Sequence, residues 1–530
     1  LEMLKIDQYI EVGLQMISRN RGARLEPLTR PQRLRMAFEE LGPTYIKLGQ
    51  VLSARPDLIP MDFIQELAKL QDDVPAFPFK EVCKVVESEF GRPPEELFAS
   101  LKEVPQASAS IGQVHRAVLK DGEAVAVKFQ RPGIRKIIEV DLEIMLHLAT
   151  LAERHIEELV LHRPVKIVDE FARTLEKEID YKIEATSMER CARQFLDDPY
   201  VYIPKVYREV TTSRILTAEF IEGIKISDFD KLESAGLDRK VITARGADLV
   251  LKQVFEHGFF HADPHPGNIF ALPDNVICLI DFGMVGVVDR KTRDDFVDLL
   301  DSIVHQNEIQ ASEVLLKLTY WDEEPARRLL EREVADFMGR HLYKPLKEIE
   351  LGKLLQQMLE VAGDFQLRIP PDLFLMIKAL GTVEGVGRTL DPDFDMIARA
   401  TPFIANVKLE KYKPERIAED VFDLSAKLLR FLRQFPKELL DIAQIIRQRK
   451  LSLQIEHRGL ETMLVTHDRI SNRISFSILI AALIVGSALI VRSKTPPLIY
   501  GISLIGIILF LAAAIMGIWL LVAILKKGRL

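Results

Sequence analysis

Hydrophobic patterns typical of strands and of helices alternate along the first three hundred positions of the chain. Beyond them, the pattern is mainly that of helices. Short alternating or continuous apolar runs indicate strands, and apolar positions three and four apart indicate helices. Strands are predicted at 124–130, 214–221 and 276–280. Helices are predicted at 79–90, 137–161, 165–195 and 243–257, followed by a mostly helical region at 294–468. The predicted strands therefore all precede the long helical region.

That helical region contains two kinds of helix breaker. Pro370-Pro371 lack backbone N–H groups, and Gly381, Gly385 and Gly387 lower helix propensity within a few residues of one another. Helix ends are therefore expected at both places.

Two uncharged runs, 474–491 and 498–525, follow the helical region, and the charged turn 492–497 separates them. Each run is close to the roughly 20 apolar residues that a membrane-spanning helix needs, so two transmembrane helices joined by a tight turn are predicted. A buried helical hairpin in a soluble core is the alternative. The positive-inside rule places the rest of the chain in the cytoplasm, because the flanks carry Arg469, Arg473, Lys526, Lys527 and Arg529 against Arg492 and Lys494 in the turn.

Composition narrows the classes further. A chain of 530 residues can form two or three structural units, and a net charge of −7 argues against nucleic-acid binding as the main task. The three cysteines form no C-x-x-C pair, which suits a reducing compartment, and the first ten residues contain no continuous apolar run typical of a signal peptide. Arginines between positions 19 and 35 indicate either a basic surface for anionic lipid or a solvated helix face.

The densest cluster of chemical groups is His261-Ala-Asp263-Pro-His265-Pro-Gly-Asn268, with Asp281-Phe-Gly283 after the next strand. The spacing matches the H-R-D-x-x-x-x-N and D-F-G motifs of phosphoryl-transfer sites. Asp263 is therefore predicted to be catalytic, with Asn268 and Asp281 as metal ligands. A zinc site is the alternative, but hard oxygen donors favour Mg²⁺, with Mn²⁺ as the second choice.

The complementary half of such a site lies upstream. Val125-Ala-Val-Lys128 matches the strand whose lysine binds nucleotide phosphates, which predicts a catalytic and nucleotide-binding role for Lys128. The preceding loop, 107–114, aligns with the nucleotide-binding pattern G-x-G-x-x-G-x-V. Ala107 and Ala109 occupy the first two glycine positions, and Gly112 occupies the third. These alanines restrict the backbone, so altered binding of ATP or ADP is expected. The nucleotide-binding residues predicted from the loop are Ala107, Ser108, Ala109, Ser110, Ile111, Gly112, Gln113 and Val114.

Together these motifs, with Lys47-Leu-Gly-Gln50 and Glu178-Ile-Asp180, resemble the UbiB (ADCK) family of atypical kinases over roughly residues 30 to 400. The membrane-like tail resembles the bacterial members. The resemblance implies an α+β, protein-kinase-like two-lobe fold with a helical N-terminal extension and a transmembrane helical hairpin. It also implies a place in the bacterial inner membrane and a role in ubiquinone biosynthesis. The domains predicted on this basis are 1–75, 76–225, 226–468 and 469–530.

Lys128 needs a carboxylate partner to remain charged. The spacing of ordinary kinases, about twenty residues, indicates Glu143, whereas the family resemblance indicates Glu184. Glu219 and Ile221 are predicted to present backbone groups to an adenine ring.

The resemblance also implies regulatory roles for the N-terminal motif. Lys47 would pair with Glu178 or Asp180, and Gln50 would lie near the nucleotide, so that the extension covers the pocket. Two functions stay open at this point. One is an ATPase or a small-molecule or protein kinase, and the other is a nucleotide-switched protein that binds prenylated quinone intermediates. Membrane lipid, enzymes of ubiquinone biosynthesis and a second copy of the chain are the partners considered.

Overall fold

In the computed structural model, the residues described are 28–53, 55, 58–70, 75–156, 163–321, 325–342, 349–414, isolated positions from 416 to 429, 460–493, 496–499 and 502–527. These residues group into two units that divide between positions 420 and 421. Arg19, Arg21 and Arg24, which belong to the predicted basic surface, lie outside the described residues.

The strands of the first unit are β1 (Phe98–Leu101), β2 (Ala107–Ser108), β3 (Gly112–Leu119), β4 (Ala124–Gln130), β5 (Val201–Tyr202), β6 (Ile215–Glu219), β7 (Ile224–Lys225), β8 (Phe259–His261), β9 (Ile269–Leu272), β10 (Val276–Leu279) and β11 (Val285–Val287). Its helices are α1 (Arg30–Leu41), α2 (Pro43–Leu52), α3 (Met61–Leu67), α4 (Phe79–Phe90), α5 (Pro94–Leu97), α6 (Ile134–His155), α7 (Pro164–Glu178), α8 (Tyr181–Gln194), α9 (Phe229–Ser234), α10 (Arg239–Lys252), α11 (Arg290–Val304), α12 (Glu308–Leu318), α13 (Arg327–His341), α14 (Leu351–Asp364), α15 (Pro371–Leu390) and α16 (Met396–Lys411).

An antiparallel sheet in the order β1-β3-β4-β6, with β2 paired to β3, positions Lys128. Alternate residues of β4 point into one hydrophobic cluster, where Val125, Val127 and Phe129 are fully buried and pack with α4. Because strand side chains alternate between faces, Lys128 emerges on the opposite face, toward α8. Burial of each large apolar side chain contributes about 1.5–3 kcal/mol, which fixes the face from which Lys128 projects.

A second sheet, in the order β5-β10-β9-β7, carries the other half of the site. β9 and β10 form an antiparallel pair from Val276 opposite Leu272 to Leu279 opposite Ile269. The separate pair β8 and β11 flanks this sheet. The loop with Asp263 connects β8 to β9, and Asp281 follows β10, so both acids leave neighbouring strand ends.

Helices α11 to α16 pack with α10 around the largest hydrophobic cluster, which also contains Phe260 and Ala262 of the β8 region. The expected break at Pro370-Pro371 coincides with the start of α15, but the expected glycine breaks are wrong, since α15 continues to Leu390. Gly381 lies where α15 packs closely against α14. A Cβ at Gly352 of α14 would lie 2.4 Å from the Cα of Gly381, and a Cβ at Gly381 would lie 3.3 Å from the Cα of Gly352, so α14 requires glycine at this crossing.

The second unit contains α17 (Leu460–Ser493), β12 (Leu498–Ile499), β13 (Ile502–Ser503) and α18 (Leu504–Lys527). α17 and α18 pack against each other. Among the described residues, one segment, Ser471–Ser493, is long and apolar enough to cross a membrane. In the second helix, the apolar stretch among the described residues, Leu504–Leu520, is shorter than such a span. Of the two predicted transmembrane helices, the structure therefore supports one.

Candidate active site

Lys128 forms a two-point ion pair with Glu184. Its Nζ lies 3.1 Å from Oε1 and 3.0 Å from Oε2 of Glu184, whose side chain is 5 % exposed. Glu184 lies in the first turn of α8, which Asp180 caps by accepting a hydrogen bond from the Lys182 N–H. Glu143, the alternative partner, is exposed on α6.

Asp281 supplies a second carboxylate to the same ammonium group. Its Oδ1 lies 3.6 Å from Lys128 Nζ, and half of its side chain is exposed. The charge of Lys128 lowers the pKa of Asp281 to about 2, with smaller contributions from Lys47 and His261. The Asp281 backbone adopts a φ of 59°, a left-handed conformation that aspartate tolerates better than most residues. Asp281 is therefore an ionised and half-exposed carboxylate, a donor of the kind that hard metal ions prefer.

The charge of Lys128 depends on these two acids. Burial alone would lower the pKa of Lys128, but the carboxylates of Asp281 and Glu184 outweigh that effect and hold the pKa well above its ordinary value. Burial raises the pKa of Glu184, and the Lys128 charge opposes this rise. The cation is thus stabilised in a buried position where it would otherwise be costly.

His261 is a structural link between the two strand ends. It is 1 % exposed, its Nε2–H donates to the Ile280 carbonyl at 3.1 Å, and its Nδ1 accepts from the Asp263 N–H at 3.1 Å. Burial lowers the pKa of His261, which agrees with a neutral ring. Within the described ranges no three His, Cys, Asp or Glu side chains form a cluster that could hold a metal ion, so nothing there supports zinc.

Asn268 lies five positions after Asp263 in the same loop and is hydrogen-bonded to its backbone. Its side-chain Nδ2 donates to the Asp263 carbonyl at 3.3 Å, and its own carbonyl accepts from the Ile280 N–H at 3.0 Å. The Asn268 amide oxygen is then the atom available to a metal. One ionised carboxylate and one amide oxygen are donors that suit Mg²⁺ or Mn²⁺, so the residues present fit the predicted ion.

The alanine-rich loop forms the tight connection between β2 and β3. The Ala109 N–H donates to the Gly112 carbonyl at 2.7 Å, and the Arg131 N–H donates to the Ile111 carbonyl at 2.8 Å. Ala107 pairs with Val114 in the strand register. The loop is thus fastened to β3 on one side and to the end of β4 on the other.

Three buried hydroxyl groups at this loop have no hydrogen-bond partner among the described residues. They belong to Ser108, Ser110 and Tyr181, and the last two side chains are fully buried. Leaving a buried hydroxyl unpaired costs about 1–3 kcal/mol, so these groups are well suited to bind a polar ligand. Lys128 Nζ lies 5.2 Å from the centre of the Tyr181 ring, so Tyr181 adjoins the lysine that pairs with Glu184.

Other predicted loop residues are engaged by the protein itself. The Gln113 side chain accepts from the Phe77 N–H at 2.9 Å and donates to the Phe77 carbonyl at 3.2 Å, which ties the start of α4 to the sheet. Ile111 is buried in the cluster that contains α8. Any nucleotide contact from these two residues would therefore come from their backbone.

Glu219 and Ile221 lie at the end of β6 and just beyond it. The Glu219 carboxylate accepts from the Tyr202 hydroxyl at 2.7 Å, and its N–H donates to the Lys205 carbonyl at 2.8 Å. Ile221 is half-buried. Their predicted contact with adenine stays a prediction.

The N-terminal motif reaches the site through α2. Lys47 Nζ lies 2.6 Å from Glu178 Oε1, with both side chains mostly buried. Asp180, the other acid considered, caps α8, and the Gln50 side chain donates to the Leu70 carbonyl at 3.3 Å. Because Lys47 also lowers the pKa of Asp281, α2 places a cation close to the predicted metal ligand.

Sequence reasoning missed two residues of this site, Tyr181 and Lys378. Tyr181 directly follows the motif Glu178-Ile-Asp180 and lies three positions before Glu184, and this position is the sequence signal that could have identified it. Lys378 comes from α15 and places its Nζ 3.3 Å from Asp263 Oδ1. No local pattern connects that lysine to the loop.

Gly112 leaves room for Tyr181, and Gly112→Ala is expected to destabilise the protein. A Cβ at position 112 would lie 2.4 Å from Tyr181 Oη and 2.6 Å from the Phe129 carbonyl oxygen. The expected loss is about 1–3 kcal/mol of unfolding free energy, measured as a lower midpoint of thermal unfolding. Gly385→Ala on α15 is the control, because a Cβ there meets nothing within 4 Å and should raise stability by about 0.4–1 kcal/mol. Equal midpoints for both variants would contradict the predicted clash.

Comparison with known proteins relates this arrangement to a family. The ABC1 atypical kinase-like domain matches residues 69–315, the UbiB helical domain matches 334–395, and the ABC1/UbiB kinase-like C-terminal domain matches 458–526. A probable protein kinase UbiB from Cellvibrio japonicus is 37 % identical over 394 residues, which covers 74 % of this chain and 71 % of that protein. The chain belongs to the ABC1/UbiB family of atypical kinase-like proteins. The predicted family and the kinase-like α+β fold are thereby confirmed.

Two further relatives of this ABC1/UbiB protein differ in how much they cover. An uncharacterised protein from the hydrogenase 1 5′ region of Clostridium pasteurianum is 30 % identical over 529 residues, which covers 100 % of this chain and 99 % of that protein. The Rv3197–erythromycin complex from Mycobacterium tuberculosis is 25 % identical, with a TM-score of 0.49, and covers 74 % of this chain and 97 % of that one. That structural similarity is too low to support a detailed comparison.

Proposed function

We propose that this protein binds ATP together with Mg²⁺, or Mn²⁺ as the alternative, and acts as a membrane-anchored atypical kinase or ATPase that supports ubiquinone biosynthesis. The observation that carries the proposal is the contact of Lys128 with Glu184 at 3.0 Å beside the ionised Asp281. A lysine that an acid keeps charged, next to a carboxylate suited to a metal, matches the requirement for holding nucleotide phosphates.

Each residue then has a defined task. Lys128 would contact the α- and β-phosphates, while the unpaired hydroxyls of Ser110 and Tyr181 would donate to phosphate oxygens. Asp281 and Asn268 would hold the metal, which when bound neutralises charge on the transferred phosphoryl group. Asp263 would accept the proton of the attacking hydroxyl or water.

The loop sets this site apart from glycine-rich sites. The methyl groups of Ala107 and Ala109 restrict backbone conformations that glycine allows, and the loop is already fastened by its hydrogen bonds to Gly112 and Arg131. The loop would therefore adjust little to a nucleotide, and the affinities for ATP and ADP would depend on its fixed shape.

Membrane anchoring and the quinone pathway rest on two separate observations. The helix Ser471–Ser493 meets the length and composition of a membrane span, and α18 packs beside it. Relatives at 34–37 % identity over most of the chain are named probable protein kinase UbiB. We place the protein at the bacterial inner membrane with its kinase-like unit in the cytoplasm, where prenylated quinone intermediates and their enzymes would be its partners.

A second function is favoured by one observation, the contact of Lys47 with Glu178 close to Asp281. With α2 covering the pocket, as the family resemblance implies, the site would admit a small acceptor or water more readily than a protein substrate. The same contact would serve a nucleotide-switched protein that binds prenylated quinones without turnover. Release of phosphate separates this second function from the first.

The test uses the full-length protein in lipid nanodiscs. Calorimetry should show binding of Mg-ATP, and Lys128→Met should weaken it at least about tenfold, equivalent to about 1.4 kcal/mol. Lys136→Met, at an exposed lysine of α6, is the matched control and should bind like the wild type. Phosphate release is then measured with and without anionic lipid and phenols that resemble quinone precursors. Absence of ATP binding by the wild type would overturn the proposal, and binding without turnover would favour the switch.

A further inference from the structure

The predicted catalytic acid is paired with a lysine that lies far from it in the sequence. Lys378 Nζ is 3.3 Å from Asp263 Oδ1, and the two side chains are 30 % and 35 % exposed. Both side chains are therefore partly exposed to solvent, and the rest of each side chain is covered by the protein.

The helix that carries Lys378 is firmly held. Its neighbours Ile377 and Ala379 are 3 % and 0 % exposed, so the backbone at position 378 lies against the core. At the start of α15, the Asp372 carboxylate accepts from the Val287 N–H at 3.3 Å, which ties the helix to β11. Further along, Glu384 accepts from the Leu351 and Gly352 N–H groups at 3.0 and 2.7 Å. Lys378 thus reaches Asp263 from a rigid support.

The backbone of Asp263 is also fixed, but its own loop does not orient its side chain. The Asp263 N–H donates to His261, and its carbonyl accepts from the His265 N–H at 2.8 Å and from Asn268. Within the loop 262–268, the only residue that can carry positive charge is His265, and its Nδ1 accepts from the Gly267 N–H at 3.0 Å. A cation for the carboxylate therefore comes from α15.

We infer that Lys378 is a positioning residue for phosphoryl transfer: it holds the Asp263 carboxylate in the rotamer that faces the acceptor. The inference rests on the proposed function. In that reaction an acceptor oxygen forms a bond to the γ-phosphorus, its proton passes to the Asp263 carboxylate, and the bond from the γ-phosphorus to the β,γ-bridging oxygen breaks to release ADP. Without the Lys378 contact, Asp263 would sample other rotamers, and fewer bound ATP molecules would meet a correctly placed base.

Lys378→Gln tests this in the full-length protein, with ATP turnover followed by phosphate release. We expect kcat to fall by at least about tenfold with little change in KM, because Lys128, Asp281 and the loop bind the nucleotide and remain intact. Lys378→Arg should recover most of the rate, since it restores the charge. Lys353→Gln removes an exposed lysine of α14 that pairs only locally with Glu350, and serves as the control for loss of a surface charge. A rise in KM with unchanged kcat would overturn the inference.

A double-mutant cycle separates positioning through Asp263 from direct contact with the substrate. Single-turnover phosphate release gives the rates of Asp263→Asn with and without Lys378→Gln. If Lys378 acts through Asp263, the second substitution costs nothing further. Fully additive losses would overturn the positioning role. No turnover in the wild type would overturn the proposed function, whereas wild-type turnover that Lys378→Gln leaves unchanged would overturn only the role of Lys378.

Discussion

Asp281→Asn is expected to abolish the Mg²⁺-dependent binding of ATP. The Asp281 carboxylate lies beside Lys128, is half exposed and is the proposed metal ligand, and an amide cannot supply its charge. The Lys128 charge lowers the pKa of Asp281 to about 2, so the ligand stays ionised throughout the physiological range. The measurement is the shift of the thermal midpoint that saturating Mg-ATP produces, which should disappear in the variant.

The control for this experiment is Asp197→Asn, at an exposed aspartate in the turn after α8. It should keep the full shift.

The pH dependence of stability gives a further check with a defined sign. Because the folded pKa of Asp281 is lowered from 3.8, its contribution to stability is complete above about pH 4 and is lost as the pH falls toward 2. Mg-ATP that stabilises Asp281→Asn as strongly as the wild type would refute the metal assignment.

Asp263→Asn is expected to keep nucleotide binding and to lose turnover. Its backbone contacts with His261 and Asn268 do not involve the carboxylate, so the loop should retain its shape. Removal of a general base typically costs 10²–10⁴-fold in rate, and we expect a loss of at least about 10²-fold in kcat. Calorimetry and phosphate release on the same preparation measure the two properties.

Comparison with Asp281→Asn makes the outcome for Asp263 decisive. If the two variants lose ATP binding equally, Asp263 is a metal ligand or a structural residue and not the base. If Asp263→Asn keeps both binding and turnover, the reaction proceeds without this carboxylate.

Residues in short motifs were placed from the sequence because their chemistry depends on local spacing. Lys128 was predicted from the match of Val125-Ala-Val-Lys128 to a kinase strand motif, and Asp281 from the D-F-G motif. The choice between Glu143 and Glu184 could not come from spacing, because α6 and α7 intervene between β4 and the acid that meets the lysine. Lys378 had no local pattern at all, since a contact between α15 and the loop exists only after the helices have packed.

The errors along the tail and in α15 have physical causes as well. Glycine lowers helix propensity, but tertiary packing around Gly381 outweighs that cost, so the helix continues. In the tail, the start of the predicted second span belongs to β12 and β13, so the second helix begins only at Leu504.

The contacts of Lys47 and Lys128 meet one continuous stretch of chain. Glu178, at the end of α7, binds Lys47, and Glu184, in the first turn of α8, binds Lys128, with the cap residue Asp180 between them. A displacement of α2 would therefore move Glu178 and, through the adjoining α8, change how firmly Glu184 holds Lys128. A shift of the N-terminal helices would therefore reach Lys128, the proposed phosphate-binding residue, without any chemical change in the motifs.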